Sequence, residues 1–246
     1  MKAVVIVTGA AGGIGRTLSL AVAGTGNVVV VADISPADAV VEEIEALGGE
    51  ALAVRVDIAD RESSRAMADA AVERFGRIDG LVNNAAHYTS IRKGPFEEIE
   101  VEEWDRCFAV NVRGSWLCAA AVAPVMRAQG RGKIVNVSSM TVPTAPPGFA
   151  HYVASKAAIV GLTRALAREL GADGICVNTL TPDYIAFDRP YDLRQPEMAA
   201  LLTAQRCLQR PAEADDLAGT LLYLLGRGSD FVTGQNVWVN GGRAFA

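Results

Sequence analysis

Short runs of apolar, β-branched residues recur along the chain, separated by segments whose apolar positions follow a helical period. Strands as uniformly apolar as these are buried on both faces, which is typical of a parallel sheet covered by helices. The alternation therefore predicts an α/β fold with a doubly wound parallel sheet in a three-layer α/β/α arrangement. The predicted strands are AVVIVT from residue 3, NVVVVAD from 27, EALAVRVD from 50, IDGLVNN from 78, GKIVNVSS from 132, ICVNTL from 175 and NVWVN from 236.

Five segments between the strands have the spacing of amphipathic helices, with proline or glycine where such helices start or stop. They are predicted to begin near Pro36, Asp60, Val101, Ser155 and Ala212, with C-terminal glycines at 48, 76, 171 and 226.

The chain carries no linker, repeat or low-complexity tract, so residues 1–246 are predicted to form one domain. Residues 183–210 interrupt the alternation just after a strand, and they contain prolines and aromatic residues. Ligands bind beyond the carboxyl ends of strands in such sheets, so this segment is a candidate substrate lid.

The charge and composition of the chain exclude several classes of function. The chain has a net charge of -5, so neither nucleic acid nor an anionic membrane surface is an expected partner. A glycine-rich turn interrupts the apolar N-terminal run, which excludes a signal peptide, and no stretch of about 18 apolar residues suggests a membrane span. The four cysteines form no CxxC pair and there are only two histidines. No metal site is therefore predicted, and free thiols in the cytoplasm are expected.

A glycine-rich turn, VTGAAGGIG, lies between the first predicted strand and the first helix. Gly9, Gly13 and Gly15 allow a tight turn in which main-chain N–H groups can reach a pyrophosphate, and the helix N-terminus favours its negative charge. Such a turn alone can be purely structural. A strand before it, a helix after it and an acid at the end of the next strand favour dinucleotide binding.

Asp33 is the acid that ends the second predicted strand. It would accept hydrogen bonds from the adenosine ribose hydroxyls and repel a 2′-phosphate. No basic residue stands in the turn before Gly13, and Arg16 follows the last glycine. The sequence therefore predicts NAD(H) rather than NADP(H), with an ordinary strand-end carboxylate as the alternative for Asp33.

Together with further motifs, these features resemble the short-chain dehydrogenase/reductase family, in its single-domain branch, over nearly the whole chain. The family pattern TGxxxGxG matches residues 8–15, its NNAG matches NNAA at 83–86, and its YxxxK matches Tyr152 and Lys156. The resemblance implies a Rossmann fold and an oxidoreductase that transfers a hydride to or from a nicotinamide. It places these residues at the cofactor: Gly9, Gly13, Ile14, Gly15, Asp33, Asp57, Ile58, Asn84, Ala85, Tyr152, Lys156, Pro182, Asp183 and Ile185.

The resemblance also implies a catalytic tetrad. Tyr152 would be the general acid/base, because hydride transfer at an alcohol carbon requires a proton to move on its oxygen. Lys156, one helical turn away, would lower the tyrosine pKa and bind the nicotinamide ribose. Ser139, which precedes Tyr152 by the family's 13 positions, would hold the substrate oxygen with Ser138 beside it. Asn111 would hold a water for proton relay. Taken singly, these residues have structural alternatives: a solvated helix face, a turn cap or a core amide.

Three positions depart from the family pattern. Ala86 replaces a glycine beside the adenosine ribose, which is a small change. Asp183 replaces the glycine of a PG motif near the nicotinamide, and its carboxylate could favour the positive ring, contact substrate or point away. Phe187 stands where the family has a threonine that bonds the carboxamide, so main-chain groups of Ile185 are expected to anchor it instead.

The substrate pocket is predicted to be apolar and aromatic. This favours a moderately hydrophobic secondary alcohol or ketone, cyclic or aromatic, with oxidation of the alcohol as the expected direction by family analogy. The predicted lining residues are Met140, Thr141, Pro146, Phe149, His87, Tyr88, Tyr184, Phe187, Tyr191, Met198 and Leu202.

Four functions remain open, with an NAD-dependent alcohol dehydrogenase first. A 3-oxoacyl-carrier-protein-type reductase is disfavoured by Asp33, because such reductases usually prefer NADPH. A non-catalytic NAD-binding sensor or scaffold is disfavoured by the intact tetrad, although Asp183 and Phe187 leave it open. An epimerase or dehydratase of the extended branch would need a longer C-terminal domain.

The resemblance further implies a homotetramer or homodimer. The interface would use the helices that carry Asn111 and Tyr152 together with the C-terminal strand. Trp238 and Phe245 near the C-terminus would lie in this interface or simply cover the core.

Overall fold

A parallel sheet of seven strands forms the centre of the computed structural model, which describes residues 2–185 and 196–245. The strands are β1 (Val4–Thr8), β2 (Val28–Asp33), β3 (Glu50–Arg55), β4 (Gly80–Asn83), β5 (Gly132–Val137), β6 (Ile175–Pro182) and β7 (Asn236–Val239). Their order is β3-β2-β1-β4-β5-β6-β7, and neighbouring strands are parallel throughout. Each predicted run contains one strand, so the prediction of a doubly wound parallel sheet is confirmed.

Helices join the strands and cover both faces of the sheet. The α-helices are α1 (Gly13–Gly24), α2 (Asp38–Ala46), α3 (Arg61–Phe75), α4 (Val101–Phe108), α5 (Ser115–Gln129), α6 (Thr141–Thr144), α7 (Ala150–Leu170), α8 (Pro196–Ala204) and α9 (Ala218–Leu225). A π-helical segment, Ala109–Gly114, joins α4 to α5. The described 3-10 segments are Phe96–Glu98, Gly171–Asp173, Ala214–Leu217 and Arg227–Ser229.

Alternate residues of one strand enter two different apolar layers. Val4 and Ile6 pack with residues of α3, α5 and α7, while Val5 and Val7 pack with residues of α1, α2 and α9. Burial on both faces explains why the strands are continuous apolar runs rather than alternating ones.

Three details of the helices differ from the prediction. α7 begins at Ala150 rather than near Ser155, so Tyr152 already lies within it. Gly171 keeps a right-handed φ of -61° and leads into a 3-10 turn, and the left-handed residue is Gly174 with φ 74°. The helical pattern from Val101 contains the π-helical segment in its middle.

The helical stretch Val101–Gln129 is long and apolar enough to cross a membrane by length and composition alone. Its most apolar window is 44% buried inside the structure, and Cys118, Val122 and Met126 pack in the layer on the sheet. A core helix of an α/β fold passes the same length and composition test, and the residues of this stretch that pack on the sheet account for part of its apolar character.

The direction of the strand order reverses between β1 and β4. The loops after these two strands therefore diverge and leave a crevice at the carboxyl ends of the strands, which is where ligands bind in this architecture. The glycine-rich turn follows β1 and the NNAA sequence ends β4, so both reach the crevice.

The candidate lid, residues 183–210, is described only in part. Residues 186–195 lie outside the described residues, and Phe187 and Tyr191 lie among them. The described part contains α8 and, just after it, the buried Arg206.

Candidate active site

The glycine-rich turn leaves no room for a side chain at two of its glycines, Gly9 and Gly15. Gly9 has φ 65°, and a Cβ on it would lie 2.7 Å from Cα of Ala85 in the loop after β4. A Cβ on Gly15 would lie 2.1 Å from the main-chain oxygen of Gly9. The N-cap residue of α1, Gly12, has no side chain that could satisfy the first N–H groups of the helix. The turn therefore fits the predicted pyrophosphate site, with Ile14 and Gly15 in the first helical turn.

Asn84 and Ala85 hold this turn from the side of β4. The amide of Asn84 donates to the main-chain oxygens of Thr8 and Gly9 at 2.9 and 3.1 Å. The main-chain N–H groups of Asn84 and Ala85 both donate to Oγ1 of Thr8 at 3.1 Å. The two sides of the crevice are thus fixed to each other, which preorganises the site for a cofactor.

Asp33 lies beside the turn, and its carboxylate orders the main chain there. Oδ2 accepts from the N–H of Ala11 and Oδ1 accepts from the N–H of Ser35, each at 2.9 Å. The nearby Arg16 makes a two-point ion pair with Glu43 of α2, with one N–O distance of 2.8 Å. The carboxylate of Asp33 therefore places a negative charge at the rim of the crevice. The guanidinium of Arg16 is paired with Glu43 and not with Asp33.

Asp57 and Ile58 follow β3 on the far side of β2. Asp57 is exposed and its Oδ1 accepts from the N–H of Ala59 at 2.9 Å. Ile58 is buried, and its side chain packs so closely on Gly114 that a Cβ there would lie 2.7 Å from Cδ1. Asp57 is accessible to an adenine ring, whereas the side chain of Ile58 belongs to the core.

Tyr152 and Lys156 lie one turn apart on α7 and are both buried. Nζ of Lys156 donates to the main-chain oxygen of Val137, at the end of β5, at 2.8 Å, and it lies 5.9 Å from the centre of the Tyr152 ring. Burial lowers the pKa of Lys156 to about 8. At pH 7 the ammonium is still mostly charged, and in this low-dielectric site it stabilises a nearby phenolate more than it would in water.

The two serines after β5 have different environments. Ser138 is buried, and its Oγ donates to the main-chain oxygen of Lys156 at 2.9 Å, which ties β5 to α7. Ser139 is half-buried, and its Oγ accepts from the N–H of Thr141 at 3.1 Å. Because Oγ of Ser139 is the acceptor in this bond, the hydroxyl can still donate its hydrogen to a substrate oxygen. The choice of Ser139 over Ser138, made from the spacing to Tyr152, stays a prediction.

Asn111 lies in the π-helical segment and is buried. Its Oδ1 accepts from the N–H of His87 at 2.7 Å, and its Nδ2 donates to Oγ of Ser155 at 3.0 Å. Ser155 in turn donates to the main-chain oxygen of Tyr152 at 2.8 Å. The amide therefore joins the loop after β4 to the helix of Tyr152 and Lys156, and its water-holding role stays a prediction.

The carboxylate of Asp183 is fully buried in an ion cluster. It accepts from Nε of Arg206 at 2.8 Å and from a guanidinium nitrogen of Arg243 at 2.5 Å. The sequence left three orientations open for this carboxylate: toward the nicotinamide ring, toward substrate, or away from both. In the structure it points toward the C-terminal segment that carries Arg243. Any contact of Asp183 with a cofactor would come from its main chain, as for the buried Ile185. The main-chain oxygen of Pro182 already accepts from the N–H of Met140 at 3.0 Å.

Several predicted pocket residues meet around the Tyr152 ring. The ring of Tyr88 lies 5.1 Å from it and the ring of Phe149 6.2 Å, centre to centre. Met140 is buried directly after Ser139, whereas Met198 of α8 is 38% exposed. The other described members are all half-buried: His87, Thr141, Pro146, Tyr184 and Leu202.

Sequence reasoning missed three groups beside the tetrad. Glu103 contacts both histidines, while Cys107 and Ser155 contact the amide of Asn111. The spacing of four positions from Glu103 to Cys107 to Asn111, which places them on one helix face, could have revealed two of them. In the described ranges 2–185 and 196–245, no group of His, Cys, Asp and Glu side chains is arranged to hold a metal ion.

His151 is a buried histidine beside Glu103. It is 1% exposed, and within the described part of the chain neither ring nitrogen has a hydrogen-bond partner. Burial lowers its pKa, an effect that Glu103 at 3.7 Å partly opposes. Below about pH 6.5, the imidazole of His151 binds a proton more readily in the unfolded chain than in the folded protein. The contribution of His151 to the free energy of unfolding is therefore complete above that pH and declines as the pH falls.

We expect His151→Met to weaken the pH dependence of stability. The free energy of unfolding of the wild type should decrease between about pH 7 and 5.5 by up to about 1.4 kcal/mol per pH unit from this group alone. Chemical denaturation at both pH values measures the difference. An equally steep decrease in the variant would show that His151 does not carry it.

Comparisons with known proteins show what the whole chain is similar to. Residues 9–244 match the family model described as Enoyl-(Acyl carrier protein) reductase. The chain is 37% identical over 240 residues, 96% of either chain, to the 3-oxoacyl-(acyl-carrier-protein) reductase FabG of Staphylococcus aureus. It is 36% identical over 243 residues, 97% of this chain and 96% of the relative, to the 3-oxoacyl-(acyl-carrier-protein) reductase of Synechocystis.

Solved structures show the same likeness in three dimensions. A Sinorhizobium meliloti protein described as a short-chain alcohol dehydrogenase superimposes with a TM-score of 0.92 at 29% identity, over 99% of this chain and 97% of that one. A Beutenbergia cavernae protein described as an NAD(P)-dependent gluconate 5-dehydrogenase, with NADP bound at low occupancy, has a TM-score of 0.90 at 35% identity, over 98% and 96%.

Proposed function

Since the chain belongs to the short-chain dehydrogenase/reductase family, and so is an oxidoreductase that uses a nicotinamide cofactor, we propose that it interconverts a secondary alcohol and a ketone with NAD. The substrate would be moderately hydrophobic or cyclic, because the rings of Tyr88 and Phe149 surround Tyr152.

Each member of the tetrad has a distinct task in this proposal. The nicotinamide, when bound, supplies or accepts the hydride. Tyr152 gives a proton to the substrate oxygen or takes it away, and the buried ammonium of Lys156 stabilises the phenolate. Ser139 donates a hydrogen bond to the same substrate oxygen. Asn111 keeps the loop after β4 against α7 and provides the place for a relay water.

The preference for NAD rests on Asp33. The turn fits a pyrophosphate, and the ribose that follows it would meet a carboxylate at the rim rather than a free cation, since Arg16 is paired with Glu43. A 2′-phosphate there would face an uncompensated negative charge. The other cofactor contacts assigned by family resemblance, including Gly13, Asp57, Asn84, Pro182 and Ile185, belong to this proposal.

We expect Asp33→Asn to raise the dissociation constant of NADH about 10-fold and to reduce the preference over NADPH. A hydrogen bond to a charged group contributes about 1.5 to 3 kcal/mol, and about 1.4 kcal/mol is a factor of ten. Fluorescence titration with NADH and NADPH measures both constants. Asp38→Asn, which removes an exposed carboxylate from the start of α2, is the matched control. An unchanged NADH-to-NADPH ratio in Asp33→Asn would exclude this role.

A second candidate, a 3-oxoacyl-carrier-protein-type reductase, is favoured by the 37% identity to reductases of that name over 96% of both chains. Rates with secondary alcohols, ketones and a 3-oxoacyl thioester, each with NAD(H) and NADP(H), separate the two functions. Faster reduction of the thioester with NADPH would favour this candidate. NADH binding without any turnover would favour the third alternative, a non-catalytic sensor or scaffold.

Assembly into a homotetramer or homodimer is also part of the proposal. β7 forms an edge of the sheet, and Phe245 beyond it is 81% exposed. A groove of about 690 Å³ beside Trp116 runs along α4, the π-helical segment and α5. Light scattering tests this assembly. A single domain over residues 1–246, a lid at 183–210 and a cytoplasmic location complete the proposal.

A further inference from the structure

The loop after β4 is held to the catalytic centre by the side chain of Asn111. Its Oδ1 accepts from the main-chain N–H of His87 at 2.7 Å, and its Nδ2 donates to the main-chain oxygen of His87 at 3.3 Å. A primary amide that meets one residue through both its acceptor and its donor has a fixed orientation. The position of His87 therefore sets the orientation of the Asn111 amide.

The ring of His87 is held in turn by Glu103. Nε2 of His87 lies 2.8 Å from Oε1 of Glu103, and the two side chains are 10% and 27% exposed. Glu103 lies in the first turn of α4, so this hydrogen bond joins α4 to the loop after β4. Oγ of Ser90 lies 3.5 Å from the other ring nitrogen of His87, within the same loop.

The same loop supports the ring of Tyr152. Tyr88, which directly follows His87, packs on that ring at 5.1 Å between centres. His151, which directly precedes Tyr152, places its Nε2 3.7 Å from Oε1 of Glu103. Glu103 thus stands where α4, the loop after β4 and the start of α7 meet.

We propose that Glu103 and His87 form a positioning pair for the tetrad. Their hydrogen bond fixes the loop after β4, and the loop fixes both the Asn111 amide and the Tyr88 ring against which Tyr152 packs. This role rests on the proposed function, because position matters for catalysis only if Tyr152 transfers a proton. A displacement of about 1 Å at a reacting group can cost about 100-fold in rate.

The hydrogen bond of Glu103 can be tested apart from its charge. The titratable groups around it are His87 from the loop, His151 from α7 and Cys107 from its own helix, with Lys156 beside Cys107. A neutral His87 ring can donate from Nε2 to a carboxylate or to an amide oxygen. Glu103→Gln therefore separates the hydrogen bond from the charge.

The kinetic test compares Glu103→Ala and Glu103→Gln with Glu102→Ala, which removes an exposed carboxylate one position earlier on the same helix. We expect kcat of Glu103→Ala to fall about 10-fold or more, with the dissociation constant of NADH unchanged. Glu103→Gln, whose amide oxygen can still accept a hydrogen bond from Nε2 of His87, should restore most of the wild-type kcat. Glu102→Ala should follow the wild type throughout.

Either of two results would overturn the positioning pair: a wild-type kcat in Glu103→Ala, or a kcat in Glu103→Gln as low as that of Glu103→Ala. Hydrogen exchange gives a readout that needs no substrate. The N–H of His87 is protected by Asn111, so it should exchange faster in Glu103→Ala than in Glu102→Ala. If Glu103→Ala does not fold, Glu103→Met replaces it, because methionine keeps an unbranched side chain of similar length without an acceptor oxygen.

The exchange result also separates this proposal from the proposed function. If the wild-type protein turned over no alcohol or ketone, the proposed function would be contradicted. The exchange rate of the His87 N–H would then still test the Glu103–His87 pair. Faster exchange at His87 in the Glu103 variant supports the pair. Equal exchange in the Glu103 and Glu102 variants overturns it.

Discussion

Tyr152→Phe should lower kcat about 100- to 10,000-fold, which is the range that a positioned general acid or base contributes. The substitution keeps the ring that packs between Tyr88 and Phe149 and removes only the hydroxyl. The buried ammonium of Lys156, held by the main-chain oxygen of Val137, stays in place. NADH binding should therefore be close to wild type, and the free energy of unfolding should change by no more than about 1 kcal/mol.

Steady-state kinetics with the best substrate of the alcohol and ketone panel measures this loss. Tyr223→Phe on α9, where the tyrosine is 46% exposed, removes a phenolic hydroxyl away from the tetrad and should leave kcat unchanged. If Tyr152→Phe kept a tenth or more of the wild-type kcat, another group would have to move the proton, and the assignment of Tyr152 would be wrong.

Asp183→Asn should lower the free energy of unfolding by about 3 kcal/mol, because it leaves two buried guanidinium groups without their shared carboxylate. The side chains of Asp183 and Arg206 are 0% and 3% exposed, and that of Arg243 is 13% exposed. Arg206 also donates to the main-chain oxygens of Tyr184 and Arg210, each at 2.9 Å. The cluster thus joins the end of β6, the segment after α8 and the C-terminus.

Thermal unfolding at one protein concentration measures this effect, since assembly would make Tm depend on concentration. For a chain of this length, about 3 kcal/mol corresponds to a decrease in Tm of about 6 to 12 °C. Asp173→Asn is the matched control, because the Arg127–Asp173 pair is 49% and 35% exposed and should contribute at most about 1 kcal/mol. Equal decreases in the two variants would show that burial does not strengthen the Asp183 cluster.

The sequence by itself determined the sheet, the tight glycine-rich turn and the shared helix face of Tyr152 and Lys156, because each depends on residues that are close along the chain. Strands buried on both faces produce continuous apolar runs, and a tight turn between a strand and a helix requires glycines such as Gly9 and Gly15. Tyr152 and Lys156 share a helix face through their spacing of four alone. These features could be predicted before any tertiary contact was known.

Only the tertiary structure decided which groups these residues meet, because those partners lie far apart in the sequence. Asp183 turns toward Arg243, 60 positions away, and Asn111 holds the main chain of His87, 24 positions away. The sequence left the direction of the Asp183 carboxylate open, and it showed no reason to join Glu103 to either histidine. Packing of α4, α7 and the loop after β4 brings these groups together, and no local pattern of residues encodes that packing.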